Sequence, residues 1–166
     1  MNNRIRTIST KQWCEEKNIE IDKKILENNV RGIYGLFINY PDRKKCVYIG
    51  KATNIVERLY EHFSSVKWLI MNVLSGEAPE HVIILAEAIQ NDYVISAELL
   101  EKVEYEYNNY NRDLHHLAYL EYKYIEDYQK KGECLNQCPE GSFNQREFDK
   151  WQEKHIKIKI VSFRRS

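Results

Sequence analysis

The first clear strand candidate of the chain is Val30-Arg31-Gly32-Ile33-Tyr34-Gly35-Leu36-Phe37-Ile38-Asn39-Tyr40, which β-branched and aromatic residues dominate. The turn signal Pro41-Asp42 ends this run, and Cys46-Val47-Tyr48-Ile49 follows as a second extended run. Two such runs joined by a short turn predict a β-hairpin. The hairpin places Tyr34 and Tyr48 on neighbouring strands.

A helix is predicted directly after the hairpin. Thr53 or Asn54 is a plausible N-cap. An apolar stripe at helical period follows, made of Ile55, Leu59, Phe63 and Val66, and a short helix from Lys67 to Leu74 is expected to continue it. The helix carries Arg58 and His62, which lie on one face because they are four residues apart. Two tyrosines, an arginine and a histidine can therefore converge.

Further elements are predicted on both sides of this unit. They are one or two short helices over 10–28 with Thr10 as N-cap, a central strand over 81–86, helices over 96–107 and 112–131, an amphipathic stretch around Phe148 and Trp151, and a strand over 156–161. The core order is strand, strand, helix, strand, helix. This order predicts an α/β fold of the α+β kind, with a small three-stranded mixed sheet.

Composition agrees with one globular domain. The chain has 166 residues, of which 43% are hydrophobic and 30% are charged, so it can bury a core. Its expected parts are an N-terminal helical arm over 1–29, a core over 30–138, and a C-terminal helix and strand over 139–166. No apolar run approaches the roughly 18 to 20 residues that a membrane span needs. We expect a soluble, cytoplasmic protein with no membrane partner.

The formal net charge is zero, with 25 basic and 25 acidic residues. A neutral total at first weighs against a polyanionic partner. The total nevertheless averages over opposed segments, because residues 1–76 carry +5, residues 77–128 carry −9 and residues 145–166 carry +4. Since phosphate neutralisation depends on the local surface that meets the partner, the neutral total does not exclude nucleic acid.

The tripeptides Gly32-Ile33-Tyr34 and Tyr48-Ile49-Gly50 are followed by Arg58, eight residues after Gly50, and by His62, four residues later. This arrangement resembles the GIY-YIG nuclease family, which is named for the two tripeptides. The family also has a metal-binding Glu on a later helix and an Asn after that helix, and Glu121 and Asn136 are the matching positions. The resemblance covers about residues 30–138. One departure is the thirteen-residue spacing between the tripeptides, which falls at a turn.

The position of Glu121 in the pattern gives it independent support. It lies in the middle of an apolar helix face that comprises Leu114, Leu117, Ala118, Tyr124, Ile125 and Tyr128. An ionised carboxylate removed from water needs a cationic partner. That partner is a metal ion or, as the alternative, Arg58 in an internal ion pair without metal. Glu98, Glu101 and Glu104 are other candidate ligands, but they lie in an acidic run that looks solvent-facing.

The resemblance implies phosphodiester hydrolysis. One Mg²⁺ or Mn²⁺ ion on Glu121 would hold the phosphate, Arg58 would contact the developing charge, and Tyr34 would accept a proton from the attacking water. A metal-bound hydroxide is the alternative base. We expect His62 to hydrogen-bond a tyrosine hydroxyl or the water, and Tyr48 to orient the phosphate or the water network. Lys51 and Asn136 are the expected substrate-binding residues.

We therefore expect a DNA endonuclease that acts on double-stranded DNA. Because 166 residues leave no room for a separate DNA-binding domain, a type II restriction-like homodimer is favoured. The alternatives are a stand-alone repair, homing or phage nuclease and a non-cleaving DNA-binding module with the same fold. DNA is expected to meet the 31–62 and 145–166 surfaces, with the acids of 77–128 turned away except for Glu121.

Four other patterns have simpler interpretations. Gly50-Lys51 lacks the remaining residues of a phosphate-binding loop, since Lys45 and Ala52 occupy the positions that need Gly and Ser or Thr. Cys134 and Cys138 have the spacing of half a zinc site, but ordinary reduced thiols are favoured. Asn136 alone would suit a turn cap, and the many tyrosines of 105–128 favour packing over base stacking.

Overall fold

The computed structural model of the chain describes residues 9–27, 29–71, 78–135 and 137. The expected C-terminal helix and strand and the proposed substrate-binding Asn136 lie outside these residues. In chain order, the elements are α1 (Thr10–Glu16), β1 (Ile19–Ile21), α2 (Lys23–Leu26), β2 (Gly32–Asn39), β3 (Lys44–Ala52), α3 (Ile55–Ile70), α4 (Glu80–Gln90), β4 (Val94–Lys102) and α5 (Tyr110–Lys130).

The described strands form one sheet in the order β1-β4-β2-β3. Strand β2 is antiparallel to both β3 and β4, and β1 joins β4 in parallel. The predicted hairpin of β2 and β3 is confirmed, and Tyr40 closes its turn by donating its N–H to the carbonyl of Arg43 at 2.8 Å. The α+β class is confirmed as well, although the described sheet has four strands instead of three, and the sequence had indicated neither β1 nor β4 as a strand.

Helices cover both faces of the sheet. On one face, Tyr34, Leu36 and Tyr48 join a core with residues of α1, α3 and α4. On the other face, Ile33 and Ile49 join a second core with residues of α5. Since successive residues of a strand point to opposite faces, the two motif tyrosines lie on the α3 side of the sheet. The central residue of each tripeptide lies on the α5 side.

The predicted strand over 81–86 is wrong, because these residues belong to helix α4. The buried positions of this helix include Val82, Leu85, Ala86 and Ile89, which follow helical rather than alternating spacing. A short apolar run can be either a buried strand or a buried helix, and periodicity over six residues does not separate the two. The extension of the apolar pattern to Ile89 is the signal that favours a helix.

The predicted helix over 96–107 is also wrong, because the third core strand, β4, occupies Val94–Lys102. Its glutamates and leucines suit a helix by intrinsic propensity. The strand instead forms hydrogen-bonded ladders with β2 on one side and β1 on the other. Pairing on both edges overrides the local preference, as is common for central strands.

The helices that flank the site are close to the predictions. Helix α3 begins after Asn54, whose side chain accepts the N–H of Glu57, and it ends at Ile70 rather than Leu74. Helix α5 matches the predicted helix over 112–131 to within two residues at its start and one at its end. At the N-terminus, Ser9 rather than Thr10 caps the first helix. No helix among the described residues has the length and apolar character to cross a membrane.

Candidate active site

The two motif glycines lie where the chain has no room for a side chain. At Gly32, a Cβ atom would run into the carbonyl group of Glu101 on the neighbouring strand β4. At Gly50, a Cβ atom would run into the ring and hydroxyl of Tyr34, which pairs with Gly50 across the hairpin. Gly32 therefore permits close strand pairing, and Gly50 opens the space that the Tyr34 side chain occupies.

Tyr34 and His62 form the centre of the site. The hydroxyl oxygen of Tyr34 lies 2.6 Å from Nε2 of His62, a short hydrogen bond inside the protein. Tyr34 has no exposed surface and His62 is only 5% exposed. The expectation that His62 hydrogen-bonds a tyrosine hydroxyl thus has a specific partner in the structure, namely Tyr34.

A second histidine, which no sequence pattern had indicated, joins the pair. Nε2 of His81, in the first turn of α4, lies 3.1 Å from Nδ1 of His62. The His81 ring also stacks on Tyr48, with ring centroids 4.2 Å apart and an interplanar angle of 27°. The sequence did not point to His81 because residues 81–86 were predicted as a strand. Helix α4, which begins after Pro79, would have been the signal, since its first turn contains His81.

Arg58 and Lys51 are close in sequence to the residues of this cluster, but they belong to different elements. Arg58 is on helix α3, and Lys51 is on strand β3. Arg58 is one helical turn before His62 on α3, and its guanidinium contacts the carboxylate of Glu61 at 2.7 Å near the surface. Lys51 pairs with Ile33 across the hairpin, so its side chain leaves β3 on the α5 side. The structure therefore gathers Tyr34, Tyr48 and His62 directly, whereas Lys51 faces the other helix layer.

Glu121 is fully buried, with no exposed surface. It lies one turn from Leu117 and one turn from Ile125, and both of these residues pack against the α5 side of the sheet. Glu121 and Lys51 are thus on the same side of β3. The sequence-based argument that Glu121 occupies an apolar helix face is confirmed by its burial.

The other candidate acidic ligands have different surroundings. Glu98 forms an ion pair with Lys44 at 2.9 Å, Glu104 pairs with Lys102 at 3.0 Å, and Glu101 accepts a hydrogen bond from Tyr124 at 2.9 Å. All three lie on or just after strand β4 rather than on a helix. Within the described ranges, no three His, Cys, Asp or Glu side chains are grouped closely enough to hold a metal ion.

A single buried carboxylate is chemically compatible with Mg²⁺. This ion takes oxygen ligands and usually keeps several waters, so a protein site of one or two carboxylates completed by water and phosphate oxygens is typical. The complete burial of Glu121 means that its charge needs a cation beside it. This carboxylate is thus chemically compatible with the expected metal, which Glu121 would hold.

The segment after α5 is attached to strand β3. The side chain of Gln137 accepts the N–H of Ile49 at 2.9 Å and donates to the carbonyl of the same residue. Glu133 accepts the N–H of Cys46 at 2.6 Å. These bonds bring the chain that follows the Glu121 helix against the strand that carries Tyr48 and Gly50.

A cavity of about 380 Å³ lies between β3, the start of α4 and this segment. Tyr48 and His81 belong to its wall, together with Lys45 and Glu80. The cavity therefore reaches the outer members of the aromatic cluster, while Tyr34 and His62 lie deeper.

The model of the GIY-YIG catalytic domain matches residues 32–111 of the chain. The match includes both tripeptides, Arg58, His62 and His81, and it ends before Glu121. No curated protein and no solved structure matched the chain. With the ordered motif residues, the strand and helix arrangement and this match, residues 32–111 are a catalytic domain of the GIY-YIG nuclease family.

Proposed function

We propose that the protein is a Mg²⁺-dependent DNA endonuclease that hydrolyses phosphodiester bonds, in the manner of a small type II restriction enzyme. The observation that carries this proposal is the 2.6 Å hydrogen bond between Tyr34 and His62, within a GIY-YIG catalytic domain. A binding module does not need a buried tyrosine hydroxyl joined to a histidine nitrogen. A tyrosine that acts as a general base does need a partner that takes up its hydroxyl proton.

Tyr34 and His62 supply the proton acceptor for the attacking water. A tyrosine with the ordinary pKa of about 10 is a poor base near neutral pH, and lowering that pKa to about 7 requires roughly 4 kcal/mol. Nε2 of His62 is placed to take the Tyr34 proton. The phenolate oxygen then accepts a proton from water as the water attacks phosphorus. Arg58, one helical turn before His62 on α3, is the cation that would favour the phenolate.

Glu121 would hold the divalent cation. Bound there, the cation would supply charge neutralisation for the phosphate and for the leaving oxygen. Arg58 is suited to contact a phosphate oxygen, because its side chain is partly exposed and its guanidinium presents a planar fork of donors. Lys51 is the second candidate for phosphate contact, and Tyr48 would orient the phosphate or the water through its position beside Tyr34, with ring centroids 6.3 Å apart.

Double-stranded DNA is the proposed substrate, and a homodimer is the proposed assembly. A twofold-symmetric dimer provides two active sites, one for each strand of the duplex. The basic block of residues 1–76 includes the hairpin, so net positive charge lies on the element that carries Tyr34 and Tyr48. Within the acidic block, Glu98 and Glu104 are paired with lysines, which reduces their repulsion of phosphate.

The test is incubation of supercoiled plasmid with and without Mg²⁺, for the wild type and for Glu121→Gln and Arg58→Ala. Cleavage by the wild type should require the cation, and both substitutions should abolish it. Glu126→Gln is the matched control, because Glu126 lies on the same helix in an exposed ion pair with Lys130. If both site variants cut as the wild type does, the site assignment is wrong. If the wild type binds DNA and cuts none, the protein is a binding module.

Sequencing the ends of the cut DNA then separates the possible roles. A fixed recognition sequence cut on both strands supports restriction, whereas nicks at branches or lesions support repair. Sedimentation of the protein with and without DNA tests the dimer.

A further inference from the structure

Tyr34, His62 and His81 become progressively more accessible in that order. Tyr34 has no exposed surface, His62 is 5% exposed, and His81 is partly exposed and lines the 380 Å³ cavity. Two hydrogen bonds of 2.6 Å and 3.1 Å connect the three side chains through the two different nitrogens of His62. A continuous chain of exchangeable protons therefore leads from the buried tyrosine to the cavity.

We propose that His81 is a positioning residue that completes a proton relay from Tyr34 through His62 to water in the cavity. The proposal rests on the proposed nuclease function, and it explains how a fully buried tyrosine loses its proton. Without an outlet, the proton that His62 receives would remain as a buried positive charge, which is costly in a site that excludes water.

Each step of the relay conserves protons. His62 takes the Tyr34 proton on Nε2 and gives the proton on Nδ1 to Nε2 of His81. His81 in turn releases a proton from Nδ1 to water, which leaves both imidazoles neutral and Tyr34 as a phenolate. The relay requires that His62 carries its proton on Nδ1 beforehand, and acceptance by Nε2 of neutral His81 favours that tautomer.

Two features hold the His81 ring in the required orientation. Its position in the first turn of α4 places it beside β3, and the stacking on Tyr48 limits rotation of the ring plane. Lys45 and Glu80 also line the cavity, so groups of both charges lie near the outlet. Tyr48 thus contributes to the relay by holding the His81 ring in place through stacking.

The activity test compares His81→Phe and His81→Ala. Phenylalanine retains the stacking on Tyr48 but removes both nitrogens, so kcat should fall by about 10-fold to 100-fold, while KM stays close to that of the wild type. Added imidazole should restore kcat in His81→Ala, because the cavity beside the deleted side chain can admit it. His116→Phe, in which a ring remains against Tyr107, is the matched control and should cut normally.

If His81→Phe retains the kcat of the wild type, the relay is wrong. The relay is also wrong if imidazole does not raise the kcat of His81→Ala although circular dichroism shows that this variant is folded. A purely structural role of His81 would give that result.

A measurement without DNA separates failure of the relay from failure of the nuclease proposal. ¹⁵N NMR of the histidine rings should show His62 protonated on Nδ1 in the wild type and a different tautomer ratio in His81→Phe. If His62 is protonated on Nε2 in the wild type, the relay direction is excluded even for an active nuclease. If the tautomer is as expected and no DNA is cut, the nuclease proposal alone fails.

A separate observation concerns two cysteines in the wall of the same cavity. The Sγ atoms of Cys46 on β3 and Cys134 after α5 lie 3.6 Å apart, although the residues are 88 positions apart in sequence. Cys46 is fully buried and Cys134 is partly exposed. The hydrogen bond with Cys134 and burial raise the pKa of the Cys46 thiol. Because Cys134 is the more exposed of the two, it is the thiol that a reagent meets first.

We propose that Cys46 and Cys134 form a reversible disulfide when a hydroperoxide reaches the cavity. The thiolate of Cys134 attacks the peroxide oxygen, which breaks the O–O bond, forms a sulfenic acid and releases hydroxide or an alkoxide. The sulfur of Cys46 then attacks the Cys134 sulfur, the S–S bond forms, and water leaves with the sulfenic oxygen and the two remaining protons. The bond would join β3 covalently to the segment that Glu133 and Gln137 already attach.

Mass spectrometry of the full-length protein treated with hydrogen peroxide tests this disulfide. A linked peptide pair containing Cys46 and Cys134, lighter by two hydrogen atoms and restored by dithiothreitol, is expected. Oxidation should raise Tm in the wild type and in the control Cys14→Ser but not in Cys134→Ser. Peroxide treatment that links Cys134 to Cys138 instead, or that leaves both thiols free, overturns the proposal.

Discussion

The ring of Tyr34 lies across Gly50 and occupies the space that a side chain at position 50 would need. Gly50→Ala should therefore displace the Tyr34 hydroxyl from His62. We expect cleavage to fall by about 100-fold, the loss typical for disruption of a general base. The overpacking should also lower the free energy of unfolding by about 1 to 3 kcal/mol. Plasmid cleavage and urea unfolding measure the two effects.

Gly132→Ala is the control for this substitution. Gly132 has φ of +82°, and nothing lies within 4 Å of a Cβ atom built there. Alanine at that position should cost about 1 kcal/mol through backbone strain and leave the cleavage rate unchanged. Equal losses of cleavage in the two variants would mean that stability rather than the Tyr34 position controls the rate.

The hydrogen bond between Tyr34 and His62 should be measurable as a coupling energy. Tyr34→Phe leaves a buried nitrogen of His62 without its hydroxyl partner, so the free energy of unfolding should fall by about 1 to 3 kcal/mol. Combining it with His62→Phe should cost less than the sum of the single effects, because both variants remove the same bond. A double-mutant cycle in urea measures this difference. Strict additivity would contradict the bond as described.

Mg²⁺ should stabilise the wild type through Glu121. A ligand that binds only the folded state raises Tm by mass action, so millimolar Mg²⁺ should raise the Tm of the wild type and of Glu126→Gln. Glu121→Gln should show no such rise, because the amide lacks the charge that attracts the ion. Differential scanning calorimetry, without DNA, provides the measurement. An equal rise in Glu121→Gln would place the cation elsewhere.

Arg31 and Arg58 should differ in their effects, although both lie in the 31–62 region that was expected to meet DNA. Arg31 is only 7% exposed, and its guanidinium donates to the carbonyls of Val103 and Asp113 at 3.0 and 2.9 Å. Its role is therefore structural. Arg31→Ala should lower the free energy of unfolding by about 2 to 3 kcal/mol, whereas Arg58→Ala should have little effect on stability.

The salt dependence of DNA binding distinguishes the two arginines. Loss of a phosphate contact reduces the slope of log K against log salt by about 1, so Arg58→Ala should show the reduced slope. Arg31→Ala, measured at a temperature at which it is folded, should keep the slope of the wild type. The reverse pattern would mean that Arg58 does not contact phosphate.

Tyr124 should make the protein sensitive to alkali. Burial and the hydrogen bond to Glu101 raise the pKa of Tyr124 from 10.0 to about 12. The folded state therefore holds the phenol proton more tightly, and this contribution to stability is complete below pH 10 and is lost as the pH rises towards 12. Between these limits, the wild type should lose more stability than Tyr124→Phe in urea unfolding, while the exposed-site control Tyr110→Phe should follow the wild type.

The local patterns of the sequence were sufficient for the hairpin and for the two helices that flank the site. The apolar stripe from Ile55 to Val66 and the cap at Asn54 depend on neighbouring residues alone, and helices α3 and α5 agree with their predicted spans to within a few residues. The same holds for the burial of Glu121, because its place on an apolar face is a matter of helical spacing. These features depend on residues that are close in sequence, so they can be predicted from the sequence alone.

The elements between α3 and α5 depended on the tertiary structure instead. Strand β4 has residues that suit a helix, and it is a strand because β2 and β1 pair with both of its edges. The apolar run at the start of α4 was predicted as the third core strand. In the structure, β4 takes that position in the sheet, next to β2. Whether such a segment forms a strand or a helix depends on pairing partners that are distant in the chain. The local propensity of the segment carries no information about those partners.

By itself, the sequence determined which residues the family motif supplies: Tyr34, Tyr48, Arg58, His62 and Glu121, in order and in their local elements. Only the tertiary structure decided which of them touch. It joined Tyr34 to His62 and added His81 to the pair. The physical reason is that spacing along a chain specifies the face of an element, whereas distances between elements depend on how their buried faces pack.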